Sequence, residues 1–536
     1  KAMDSSVFAQ DSNGKLFSWG QSGRLSLGLS TDANYTVNVP KQITQLTGDV
    51  SLAGANVSSL NDVNITDFDV SFGHVVAISD QGAVFTWGGI GDDRVEKSLG
   101  NGGASTSDAF PRVIGNSATF GYSGVEQAAS GWLFSALLTD SGKIMFWGGH
   151  PDANANLASL LPSNSSDVPV ELSTSFDTVQ VEFMGSLGSQ SLIALDSSGD
   201  VYSVGGGTYE DSTGSTWTKN AIPGNEKITK IFTSPKLNGW LGLSESGKVF
   251  ARGQENVNGA IANGIWGDAT HITNGTVDPL VELDFDGDLG AALSNGAEIT
   301  EVSVSDRSLT IIDDSGNLFV TGTTLDGISV PVNWLPDSSG ATTLKNKVNV
   351  DVTGFFTYKY GAGLPENTEF ATSASGSGTW AIARSGEIYS WGGGDFHRSF
   401  VGVEPAAYLF QEAGMQVDFS SAPVANFRDP SFSPNSTETS ATTPPPYAGP
   451  IISGTDEGVG AQFNSSGNDT VRFVGERLGG VTKAFIDGRE AELLSTSAGS
   501  FEIVVPEGLA PGTYDLQIES SLGNLTYLDA ITITET

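Results

Sequence analysis

Short apolar runs alternate with polar turns along most of the chain, and one such pairing recurs seven times. Gly14-Lys-Leu-Phe-Ser-Trp-Gly20 returns as Gly82–Gly88, Gly142–Gly148, Gly199–Gly205, Gly247–Gly253, Gly316–Gly322 and Gly386–Gly392, always with two glycines six residues apart. The second residue after the first glycine is aliphatic each time (Leu16, Val84, Ile144, Val201, Val249, Leu318, Ile388). An aromatic residue follows in six copies, and Met145 in the other. Ahead of each first glycine lies another apolar run, such as Val75-Val-Ala-Ile78 or Leu192-Ile-Ala-Leu195, and a polar turn such as Asp196-Ser-Ser198. Two apolar runs joined by a short turn that ends in glycine predict a β-hairpin, with the glycine at positive φ.

The position five before the first glycine is small in five copies (Ala9, Ala77, Ala194, Gly242, Ala381), as an inner, crowded strand requires. A proline follows each hairpin (Pro40, Pro111, Pro169, Pro223, Pro279, Pro331, Pro405), which suits the start of an edge strand. Successive first glycines are 68, 60, 57, 48, 69 and 70 residues apart, room for a four-stranded unit and a variable loop. Seven such units predict a seven-bladed β-propeller. The first repeat lacks a leading strand of the Ile65–Phe72 kind, and an unassigned strand stands at Met415–Ser420. That strand is expected to pair into the first blade and close the ring.

After residue 421 the pattern changes. Ser433–Pro446 is rich in proline, serine and threonine and reads as an extended linker over 422–447. Strand patterning resumes at Val471–Val474, Thr482–Ile486, Phe501–Val505, Thr513–Ile518 and Leu528–Ile533, which predicts a small immunoglobulin-like β-sandwich over 448–536. The fold class is therefore all-β, a propeller over 1–421 followed by a sandwich.

Hairpin, acidic turn, Trp-Gly step, Leu-Gly loop and proline together resemble the RCC1 repeat. Arg24-Leu-Ser-Leu-Gly-Leu29 and Lys97-Ser-Leu-Gly-Asn-Gly102 are degraded versions of its loop, and Ser71-Phe-Gly-His74 resembles its strand entry. Val204, Arg252 and Thr321 replace the tryptophan in the middle copies, so the resemblance is to the fold more than to a near relative. Pro450-Ile-Ile452, Val471–Leu478, Ala484–Ala491 and Pro511–Leu516 resemble the IPT/TIG family, whose modules imply a spacer or binding role.

Composition narrows the function. The 536 residues carry 62 acids against 25 lysines and arginines, a formal charge of −37 with the acids dispersed. Such a surface repels nucleic acid and anionic membranes. There is no cysteine, hence neither a disulfide framework nor a thiol catalyst. No apolar run has the length of a membrane span.

Chemistry is sparse. Of the four histidines, His74, His150, His271 and His397, none has metal-ligand spacing to another, and each reads as structural or surface. Phosphate-loop, nucleophile-elbow and His-Glu zinc motifs are missing. Asp284-Phe-Asp286-Gly-Asp288 opens like a calcium loop, which makes Ca²⁺ the one candidate cofactor; its glycine is one place late and Asn295 stands where a bidentate glutamate belongs. The excursion Thr342–Glu369 balances three lysines with three acids and clusters Phe355, Phe356, Tyr358 and Tyr360, a candidate partner-binding patch that could equally fold onto its own blade. Glycan hydrolysis would need two carboxylates close together in the central funnel.

Disc, linker, sandwich and dispersed acid together resemble virion-surface and extracellular architectures. They imply a non-enzymatic structural or binding protein, first a phage virion component (capsid decoration, tail or fibre) contacting other virion proteins, a host receptor or glycan. A secreted or cell-surface bacterial adhesin is the alternative. The RCC1 resemblance itself implies a regulator acting as exchange factor on a small GTPase, or a propeller-type inhibitor; the acidic balance speaks against the former.

Overall fold

In the computed structural model of the chain, the description covers most of residues 1–416 and 451–534; apart from short loops it leaves out 207–213, 255–275, 323–357, 360–367, 393–408 and 417–450. Seven four-stranded antiparallel units follow one another, each in the order inner strand, hairpin pair, outer strand. Blade two is typical, with Ile65–Val70 innermost, then His74–Ser79, Ala83–Gly88 and Asp108–Asn116.

All seven repeat segments form the predicted hairpins, and all seven first glycines take positive φ, from 69° at Gly82 to 108° at Gly386. The polar turn residue closes the hairpin with its side chain. Asp11 Oδ1 accepts from the Asn13 and Lys15 amides, and Asp196 Oδ1 from those of Ser198 and Asp200. Ser79, Thr139 and Ser244 use their hydroxyls in the same way. The second glycine answers a close approach: a Cβ on Gly148 would lie 2.3 Å from the Leu133 carbonyl oxygen.

The small position lies on the second strand of each blade and not on the innermost one. Its crowding comes from the hairpin partner, since Ala9, Ala77, Ala194 and Ala381 sit directly across from Phe17, Phe85, Tyr202 and Tyr389. The prolines Pro40, Pro111, Pro169 and Pro279 fall within the outer strands (Thr36–Gln42, Asp108–Asn116, Ser166–Leu172, Thr276–Glu282), at or beside register shifts, where a missing N–H costs the ladder little. Pro331 and Pro405 lie outside the described residues.

Ring closure differs from the expectation. Leu409–Gln416 is the outer strand of blade seven, where Met415 and Gln416 pair with Ser390 and Tyr389. Residues 417–420 lie outside the described residues. Blade one supplies its own innermost strand, Ala2–Met3, paired to Val7 and Ser6. Blades seven and one instead meet through an apolar seam in which Trp380 and Ile388 join the buried cluster of Val7, Leu16 and Trp19.

The C-terminal strands form two sheets. Ile451–Thr455, Thr470–Glu476, Ser500–Val504 and Leu493–Ser497 make one; Ala461–Asn464, Leu525–Thr534, Gly512–Ser520, Val481–Ile486 and Arg489–Ala491 make the other, which is continuous with blade seven because Tyr527 and Thr526 pair with Leu409 and Phe410. Phe473, Phe501, Ile503, Ala484, Leu516 and Ile531 are fully buried among them, so this is the expected sandwich, with all five predicted strands in place. The linker 422–447 lies outside the described residues.

Candidate functional site: the axial channel

Six innermost strands share an irregularity that carries the site. In Ile65–Val70, Val125–Ser130, Thr178–Met184, Ile228–Thr233, Ile299–Val304 and Phe370–Ser375 the register shifts between the first and third residue. A bulge there re-aims the third side chain. The third residues are Asp67, Gln127, Gln180, Lys230, Glu301 and Thr372, all polar.

Most of them reach the next blade. Asp67 Oδ2 accepts from the Ala128 amide at 2.7 Å. Gln127 clamps both backbone groups of Val181, donating to its carbonyl at 3.0 Å and accepting from its amide at 2.9 Å. Gln180 repeats the clamp on Ile231, at 2.7 and 2.8 Å. Lys230 Nζ donates to Glu301 Oε2 at 2.6 Å. From blade one, Gln10 donates to the Ile65 carbonyl. The result is a belt of side-chain bonds around the axis.

The belt encloses a cavity of about 440 Å³ lined from all seven blades. Its charged residues are Lys1, Asp67, Asp69, Glu182, Lys230 and Glu301. Asp69 accepts from the Ser130 amide and hydroxyl, at 2.8 and 3.1 Å, and lies 3.5 Å from Lys1 Nζ. Half of the Lys1 side chain (49%) remains open to solvent, so this pair contributes only ~0.5 kcal/mol. Glu182 Oε1 accepts from both Gln127 and Gln180. Burial pushes the Glu182 carboxyl up to about 7, opposed by Lys1 and reinforced by Asp69. Burial likewise pushes Asp67 up to about 6, against the pull of Lys1 and the Ala128 amide. Carboxylates do gather in the funnel, as glycan hydrolysis would require, yet Asp67, Asp69 and Glu182 are each committed to a bond that ties one blade to another.

Away from the axis, His74 is fully buried between blades two and three. Its Nδ1 lies 2.9 Å from Ser71 Oγ and its Nε2 2.7 Å from Ser135 Oγ. Desolvation lowers its pKa to about 3, so it is a neutral bridge. His150 accepts from the Asp152 amide at 3.1 Å. His271 and His397 lie outside the described residues.

Of the calcium candidates, Asp284 and Asp288 are among the described residues. Leu283, Phe285 and Leu289 are the buried members of that stretch. They draw it into the helix Gly287–Ser294, with Asp288 in its first turn and both Asp284 and Asp288 facing solvent. Asp286 lies outside the described residues, among which no three acids or histidines are grouped to hold a metal. Of the aromatic patch, Tyr358 begins the short outer strand Tyr358–Lys359 of blade six and pairs with Val320. Phe355, Phe356 and Tyr360 lie outside the described residues.

The belt residues themselves escaped the sequence reading. Each sits in a strand that mixes polar and apolar residues, the pattern of an ordinary half-solvated strand. Alignment of the repeats on the inner strand, in addition to the hairpin, is the signal that reveals them.

No family model matches the chain. A stretch of 83 residues is 34% identical to the human protein named Regulator of chromosome condensation, covering 16% of this chain and 19% of that protein. The chain thus matches about a fifth of that relative's length. Among solved structures, human WBSCR16 superposes with a TM-score of 0.54 at 17% identity, covering 75% of this chain and 94% of its own. Prp20p from Saccharomyces cerevisiae, a structure described with its binding properties to Gsp1p and histones, gives 0.57 at 18% identity over 77% and 88%. Yeast RCC1 (Prp20) bound to Kap60 gives 0.56 at 19% over 78% and 86%. At such identities the likeness defines the fold: the propeller is RCC1-like.

Proposed function

We propose that the chain is a non-catalytic structural and binding protein of a virion surface, a capsid decoration or tail component that presents a rigid propeller to other proteins or to a host surface. The observation that carries this reading is the use made of the polar groups at the axis and between blades. Asp67, Gln127, Gln180, Glu182 and His74 hold blades to one another, which builds a stiff disc whose loops are left to make contacts. The dispersed acidic surface keeps such a disc soluble in salty surroundings, and the IPT/TIG-like sandwich serves as spacer or second binding unit. A cell-surface adhesin has the same parts.

Mass spectrometry of purified virions and of the cell-surface fraction tests the proposal. Stoichiometric recovery from particles supports it; recovery only from envelope or medium removes the virion and leaves the adhesin.

A second reading has one specific support, the likeness to Prp20p and to the Regulator of chromosome condensation. It makes the propeller a protein-binding regulator of a small GTPase. Nucleotide release from a panel of GTPases, unchanged by stoichiometric addition of the chain, would set this reading aside.

A further inference from the structure

The charge arrangement at the axis has a property that the binding reading does not use. Among the lining residues four carboxylates face two side-chain ammonium groups. The Lys1 α-amino group donates to the Phe8 carbonyl at 3.0 Å; desolvation lowers its pKa to about 5, and it is common to every variant compared below. Lys1 pairs with Asp69 and Lys230 with Glu301. Asp67 and Glu182 are held by N–H donors, the first by the Ala128 amide and the second by the side-chain amides of Gln127 and Gln180. Asp67 and Asp69 are two apart on one strand and so share a face. The other polar residues at the cavity, Gln10, Ser130, Thr233, Ser303 and Thr372 among them, carry no charge to offset this excess.

We propose that Asp67 and Glu182 form a proton-operated lock at the axis, tightening blades two, three and four against each other when protonated and loosening them when both are charged. A carboxylate in a confined cavity without its own counter-ion favours the neutral form. Both groups also belong to the belt: Asp67 joins blade two to blade three, and Glu182 in blade four joins the Gln127 and Gln180 amides. Their charge state therefore acts directly on blade contacts.

The direction follows from linkage. The folded-state values of about 6 and about 7 exceed the ordinary 3.8 and 4.5, so the folded ring binds protons that the unfolded chain releases. The stabilisation is complete below the ordinary carboxyl range and is lost as pH rises through those folded values. His74, neutral when folded, acts the opposite way below its ordinary 6.5. It is common to every variant below and cancels in the comparison.

The test is thermal unfolding of the full chain near pH 5 and near pH 8 in about 0.5 M salt, which screens surface charge. Three proteins are compared: the native sequence, Asp67→Asn with Glu182→Gln, and a control with Glu126→Gln, Asp177→Asn and Glu245→Gln at exposed acids. The axial variant is expected to melt higher than the native chain near pH 8, by about 2–4 °C, and to lose that advantage near pH 5, where only the opposing dependence of His74 remains. The control should keep the native dependence. An axial variant with the native dependence, or a control that loses as much, overturns the lock. If the axial variant does not fold, hydrogen exchange of the native chain decides. Protection over Val125–Ser130 and Thr178–Met184, corrected for intrinsic rates, must be greater near pH 5 than near pH 8; equal or lower protection overturns the lock.

Discussion

Trp147 donates its indole N–H to the carbonyl oxygen of Ser98, 2.8 Å away in the preceding blade. Trp87 does the same to Ser26 at 2.7 Å. The Trp-Gly step of one repeat and the Leu-Gly loop of the one before are thus two halves of a single contact. A Cβ on Gly100 would lie 2.6 Å from Trp147 Nε1, so the loop glycine makes room for the next blade's ring.

Gly100→Ala is therefore expected to cost about 1–3 kcal/mol, combining overpacking with a positive φ of 62°. Urea unfolding measures it. Gly102→Ala, with a similar φ of 67° but only the Val168 side chain 3.7 Å away, isolates the backbone share and should cost less.

Ser163 offers the reverse case. It holds φ 55° in the turn Pro162-Ser163-Asn164; the turn Pro223-Gly224-Asn225, of the same form but placed after an outer strand, has Gly224 at 69°. The left-handed conformation costs an ordinary residue roughly 1–2 kcal/mol, and glycine's greater freedom when unfolded returns roughly 0.5–1. Ser163→Gly should thus stabilise the chain by roughly 0.5–1 kcal/mol, seen as a raised urea midpoint. An unchanged midpoint would mean that the turn relaxes at no cost.

Gln127 and Gln180 clamp successive blades and share one acceptor, Glu182 Oε1. Truncating either to alanine strands backbone groups of Val181 or Ile231 and should cost about 1–3 kcal/mol. Because both donate to the same oxygen, a double-mutant cycle is expected to show a coupling of about 0.5 kcal/mol or more. Strict additivity would mean that the two clamps act independently.

These residues also mark where sequence reasoning reaches its limit. The hairpins were legible because glycine, aliphatic and aromatic positions repeat at fixed offsets, and each offset answers a local demand such as the positive φ of Gly14 or Gly82. Closure was not legible. Met415-Gln-Val-Asp alternates as any strand does, and nothing in alternation says whether it pairs with blade one or with Ser390 and Tyr389 beside it. Alternating acids at Asp284 and Asp288 do not show by themselves that Phe285 and Leu289 between and beside them are buried. In the belt, Gln180 and Lys230 differ in type because each needs only to reach the next blade, so composition at that position varies while geometry does not.

His74 allows a sharper pH test. The ring is buried and neutral, bonded at 2.9 Å to Ser71 and at 2.7 Å to Ser135, which itself donates to the Ser98 carbonyl at 2.9 Å. Its folded pKa of about 3 lies below the ordinary 6.5, so protonation favours the unfolded chain. Its contribution is complete above pH 6.5 and declines as pH falls toward the folded value. His74→Gln keeps a side-chain donor and acceptor but cannot titrate. At neutral pH the native chain should be the more stable of the two, since glutamine fills the site less well. Near pH 5 that advantage should shrink by roughly 2 kcal/mol, the linkage of one proton over the interval below 6.5. The axial carboxylates act identically in both proteins, so the difference between their urea stabilities reports His74 alone. A difference that stays constant from neutral pH to near 5 would mean that the imidazole titrates equally folded and unfolded, and that the bridge between blades two and three is open to water.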